Sequence, residues 1–108
     1  MTALTRLQRW YRSNCDGEWE HAHGICIQTL DNPGWLIDIE LVETPLADVP
    51  FERNEVGTDD DNYDDAGSAI GPWHECWRDD KAWHAGCDPE SLEAVVMLFL
   101  EWAEKHTP

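Results

Sequence analysis

The sequence predicts an α+β domain: an N-terminal helix, an antiparallel sheet of about four strands made from two hairpins, and a C-terminal helix, with both helices on one sheet face. Three observations carry this expectation. Apolar residues recur at helical spacing over residues 3–14, a period of two runs through residues 23–42, and an apolar-rich stretch follows the helix-start signal Asp88-Pro89-Glu90. The 108 residues suit one domain with one core. Seven tryptophans add apolar area that needs neither a disulfide nor a metal to favour folding.

In the first helix, Leu4, Leu7, Tyr11 and Asn14 form the expected buried stripe, flanked by Trp10, with Arg6, Arg9 and Arg12 on the remaining surface. Asn14 and the Asp16-Gly17 pair end it. From His23 the period changes to two. A five-residue loop, Leu30 to Gly34, sets Thr29 opposite Trp35, Ile27 opposite Ile37 and Ile25 opposite Ile39, whereas a four-residue loop splits the apolar set between faces. The other face then displays Cys26, Gln28, Asp38 and Glu40. Residues 44–72 show neither period and read as a long, mobile acidic loop, with eight acids and one arginine between positions 48 and 65. "PWHECWRDDKAWHAGC" reads as a second hairpin around Asp79-Asp80, with its faces unassigned. Asp88 as cap and Pro89 at the first helical position open a helix expected to reach about Lys105. It buries Leu92, Val95, Val96, Phe99, Trp102 and Ala103. Met97, Leu98 and Leu100 widen that apolar face, for burial against the first helix or for a weak homodimer contact.

The chain carries 23 acidic and 7 basic side chains, a net charge of −16. That density opposes nucleic acid and anionic membrane and favours a basic protein surface. It is also uneven, because residues 1–14 hold three arginines and no acid. No apolar run has signal-peptide or membrane-spanning length, so the expected location is the cytoplasm, with Cys15, Cys26, Cys76 and Cys87 as free thiols.

Chemistry-bearing residues concentrate in "CDGEWEHAHGIC". Cys15, His21, His23 and Cys26, together with His84 and Cys87, invite a zinc-binding or regulatory module. The spacings match no usual zinc knuckle, and strand alternation sends His23 and Cys26 to opposite faces. A cysteine nucleophile at Cys15, with His21 or His74 as base, meets an electronegative setting of Asp16, Glu18 and Glu20 that suppresses thiolate. "TDDDNYDDAG" suggests calcium but has Tyr63 and Asp64 where an EF-hand loop needs an oxygen ligand and Gly. No catalytic residue, metal or cofactor is therefore expected. Trp35 and Trp102 lie on core stripes, while Trp19, Trp73 and Trp83 lie near loops, where a tryptophan can anchor an interface.

These residues also carry a resemblance. "LQRWYRSNCDGEWEHAHGICIQTLDNPGWLIDIEL" resembles the N-terminal signature of the immunity protein 53 family, small bacterial proteins of polymorphic toxin systems, and "ESLEAVVMLFLEWAE" resembles its closing helix. The motif positions are Trp10-Tyr11, Cys15-Asp16-Gly17, Trp19-Glu20-His21, Gly24 and the run from Leu30 through Asp31, Asn32, Pro33 and Gly34 to Trp35. Residues 44–72 lie outside it. The resemblance implies a cytosolic antidote, not an enzyme, that binds and neutralises a cognate toxin domain. Combined with the charge, it suggests a basic toxin such as a nuclease, met by Asp38 and Glu40 on the sheet and by Asp59, Asp60, Asp61, Asp64 and Asp65 in the loop, with Trp19 or Trp83 as anchors. In that reading Asp16-Gly17 turn the chain and Glu20 or His21 fix the first strand.

Overall fold

The computed structural model describes residues 1–106. Helix α1 spans Ala3–Asn14, a short α2 Trp19–Ala22, and α3 Leu92–Lys105; the strands are β1 Ile25–Leu30, β2 Gly34–Glu40, β3 Asn54–Val56, β4 His74–Arg78 and β5 Ala82–Cys87. All pairs are antiparallel, in the order β1-β2-β5-β4-β3. The α+β class and the two hairpins are as the sequence predicts, but the sheet has five strands rather than four. The fifth, β3, comes from within residues 44–72. Its three residues, Asn-Glu-Val, are too short to set an alternation, and pairing with β4 is what makes them a strand.

The first hairpin has the register that apolar consistency selects: Ile25 opposite Ile39, Ile27 opposite Ile37 and Thr29 opposite Trp35. Leu30 and Gly34 also pair, so Asp31, Asn32 and Pro33 make the turn. Gly34 is required there, because a Cβ would lie 2.4 Å from the Cys87 carbonyl oxygen. Ile37 and Ile39 are fully buried with Trp83, Ala85, Cys87 and Cys76, all on one sheet face. α3 covers that face with Val95, Phe99, Leu100 and Ala103, and Arg6 clamps α1 to it through two hydrogen bonds to Glu104, of 2.9 and 2.7 Å.

Two element details differ from expectation. α1 buries Ala3, Leu7 and Trp10, leaving Leu4 66% exposed, so its inward face is rotated by about one residue. Small Ala3 allows close approach while Trp10 packs edge-on against Phe99 at 5.0 Å. α3 begins at Leu92, not at Pro89. Asp88 instead joins strand to helix: its carboxylate accepts from the Trp73 and Glu90 amides, each at 2.9 Å, and from the Ser91 hydroxyl. The stretch after β2 is tied down by Arg78, which donates to the carbonyls of Leu46 (2.8 Å), Val49 (2.6 Å) and Ala47 (2.9 Å). Among the described residues, no helix is long and apolar enough to cross a membrane.

Candidate functional site

With the helices on one side, strand alternation leaves Cys26, Gln28, Leu36, Asp38, Glu40, Glu55, Glu75, Trp77 and His84 on the other. Its centre is His84 on β5. Nδ1 lies 2.6 Å from an Asp38 oxygen on β2, and Nε2 lies 2.7 Å from an Asp79 oxygen in the β4–β5 turn. A neutral imidazole has one N–H, so contacts this short at both nitrogens require the cation. Burial opposes that charge, but the bonds to Asp38 and Asp79 outweigh it and raise the His84 pKa. Amide bonds from Lys81 and Ala82, with the His84 bond, hold Asp79 at about 2.

Trp77 lies over His84, with ring centroids 5.4 Å apart and planes tilted by 32°, and Arg53 lies 5.4 Å from the Trp77 ring centroid. Arg53 also pairs with Glu55 and Glu75. Both positive groups of this face are thus engaged internally. The carboxylates remain partly open: Asp38, Glu40 and Asp79 keep 36%, 43% and 57% of their side-chain surface. Glu40 also receives the Gly24 amide at 2.7 Å and lies 3.4 Å from His23, closing the β1 end of the patch.

The acidic loop is elsewhere. Asn62 ties it to Gly57, Gly71 and Pro72, at the end of the sheet where Val56, His74, Cys87 and Trp35 align, and Glu40 marks the opposite end. Asp59, Asp60, Asp61, Asp64 and Asp65 are exposed. Asp38 and Glu40 are therefore brought together, but the loop acids do not join them. The two tryptophans expected as anchors are core residues. Trp83 is fully buried between Phe51 and Phe99, and Trp19 is 2% exposed, edge-on to Trp10, with its Nε1 donating to the Val42 carbonyl at 2.8 Å. Trp77 is the aromatic of the open face, and the sequence alone does not single it out. Its parity follows only once Cys76 and Trp83 are known to point inward.

The opening of the chain resolves into a structural junction. Asp16 accepts from the Glu18 and Trp19 amides at 2.9 Å, and Glu20 accepts from those of Asp16 and Gly17, a reciprocal cap around Gly17, whose φ is +96°. The Trp19 and Glu18 amides lower the Asp16 pKa, and the amides of Glu20, Asp16 and Gly17 lower that of Glu20. His21 is exposed and Cys15 Sγ donates to the Tyr11 carbonyl at 3.4 Å. Cys26 is exposed on one sheet face and Cys87 buried on the other, so the ligand set suggested by spacing does not converge, and no group of three candidate metal ligands is found among the described residues. All four cysteines are free, and burial pushes Cys76 up to about 12 and Cys87 to about 11, which keeps both as thiols.

No curated protein and no solved structure matches this chain. A family model described as immunity protein 53 does, over residues 4–104. The matched span includes the reciprocal cap, every strand and nearly all of α3, and so the chain belongs to the immunity protein 53 family.

Proposed function

We propose that this protein neutralises a cognate toxin domain by stoichiometric binding and without catalysis, and that the open sheet face carries the binding. Family membership supports the immunity role. The observation that carries the site is the face itself: Asp38, Glu40, Glu55, Glu75 and Asp79 stand against Arg53, His84 and His23, all already paired with these acids. An intracellular toxin with a basic cleft, such as a nuclease, is steered onto such a surface and loses access to its phosphate-bearing substrate. The acidic loop at 59–65 adds to the steering field from the far end of the sheet, and the protein works as a monomer with no cofactor.

The test is co-expression with the toxic C-terminal domain of a large secreted protein encoded beside this gene. Wild-type protein should restore growth and co-purify at one to one. The double neutralisation Asp38→Asn, Glu40→Gln, isosteric at two half-buried positions, should remain folded by circular dichroism and lose most of the rescue. Toxicity untouched by the wild-type chain, with no complex formed, defeats the reading.

A further inference from the structure

The two sheet edges are unlike. β3 is three residues long and flanked by the Arg53, Glu55 and Glu75 ion pairs, which is how natural sheets blunt an edge. β1 is six residues long, Ile-Cys-Ile-Gln-Thr-Leu, with no charge and no proline, and its residues 26–29 are all exposed. The Glu40 amide bonds the Gly24 carbonyl, so alternation places Gly24, Cys26 and Gln28 in the hydrogen-bonded pairs with β2. The N–H and C=O groups of Ile25, Ile27 and Thr29 therefore point out of the sheet.

Beside that edge runs an apolar groove between β1 and the helices. One cleft of about 270 Å³ is lined by Ala3, Leu4, Leu7, Ile27, Leu92 and Val96, with Thr2 and Glu93 as its polar members. A second, of about 360 Å³, lies between Leu4, Leu7, Tyr11 and Ile25. Leu4 is 66% and Ile27 39% exposed, the apolar surface that the one-residue rotation of α1 leaves uncovered. Ile25 and Ile27 are two residues apart on one face, roughly 7 Å, which is the spacing of side chains i and i+2 on an added strand.

We propose that β1 is the edge onto which a strand of the toxin domain adds, extending the sheet to six strands; this rests on the immunity reading above. The added strand places two apolar side chains in the two clefts and a lysine or arginine between them on the open face. Charge complementarity selects that pattern. On the open side only the small Cys26 separates an added strand from Asp38 and Glu40, whereas the helix side offers the strand the apolar walls of the two clefts. The same argument disfavours a second copy, since two chains of −16 meet with their acidic faces continuous.

The experiment is amide hydrogen exchange of the full chain, alone and with the toxic domain encoded beside its gene, together with binding by two variants. Ile27→Pro removes an outward N–H without breaking a bond to β2, and Leu4→Glu charges the groove wall at a position that does not support the core. Slowed exchange at Ile25, Ile27 and Thr29 in the complex, with at least about tenfold weaker binding by either folded variant, is the expected result. If the wild-type chain binds toxin with no added protection on β1, strand addition is overturned and the immunity reading stands. No binding at all overturns both. A doubled mass for the free wild-type chain that Ile27→Pro returns to monomer assigns the edge to a second copy and overturns the proposal.

Discussion

His84 illustrates how much one side chain acquires from its neighbours. It bridges carboxylates on β2 and in the β4–β5 turn, so the imidazolium binds elements whose contacts are 46 and 5 residues away in the chain. Its raised pKa means that its contribution to stability is fully present below the unfolded value, near 6.5, and is lost as pH rises through the folded value. Asp79 has the opposite sign: lowered from 3.8 to about 2, it contributes fully above the unfolded value and loses the contribution as pH falls through the folded one. The clip is strongest between roughly pH 4 and 6.5. The His84 ring protons, followed by NMR, should titrate with a midpoint above 6.5, and Asp79→Asn should lower that midpoint; titration at or below 6.5 in the wild type removes the imidazolium bridge. Trp83 makes the contrasting case, fully buried and with no hydrogen-bond partner for its Nε1 among the described residues. Trp83→Ala should cost about 3–5 kcal/mol in chemical denaturation, as a large aromatic lost from a core does. A loss under about 1 kcal/mol would instead mark the residue as peripheral.

At the scale of elements, what the sequence discloses depends on how local the determining interaction is. The β1–β2 register was legible because six positions, Ile25, Ile27, Thr29, Trp35, Ile37 and Ile39, alternate on either side of a short turn. The inward face of α1 lies about one residue away from the stripe that Leu4 and Tyr11 suggest, because the match of Ala3 and Trp10 to α3 is a tertiary fact. β3 was hidden in an acidic stretch with no alternation of its own. The site divided in the same way. Asp38 and Glu40 follow from parity on a strand already recognised, but their partner His84 depends on β2 pairing with β5, and the ambiguous faces of the second hairpin concealed both His84 and Trp77. Arg78 is a further long-range element, reaching 29–32 residues back to three carbonyls. Arg78→Met keeps the apolar stem and removes every donor, so it should destabilise by about 2 kcal/mol or more. Enhanced exchange should follow at the amides of residues 44–49. Equal stability of wild type and variant would mean that this stretch is held by Leu46 burial alone.

Over the whole molecule, charge and hydrophobicity divide the surface into regions with different jobs. Arg6 is absorbed in the α1–α3 clamp, leaving Arg9 and Arg12 with no ion-pair partner among the described residues, while acids occupy the 59–65 loop at one end of the sheet and the open face from Glu55 and Glu75 beside that end to Glu40 at the other. Both add to the long-range field, and only the patch beside β1 lies within reach of an added strand. This separates the kinetic constants for toxin capture. The association rate reports the field of the whole chain and is screened as the Debye length shrinks from about 10 Å at 0.1 M salt to about 3 Å at 1 M. The dissociation rate reports the apolar clefts and strand bonds, which salt screens little. Stopped-flow or surface-binding measurements should therefore show kon falling by at least about tenfold across that range with koff nearly constant. Neutralising the loop by Asp59→Asn, Asp60→Asn and Asp61→Asn should lower kon alone. A salt-independent kon removes the basic partner, whereas loop variants that raise koff place the 59–65 acids in the contact and require the toxin to span the full length of the sheet.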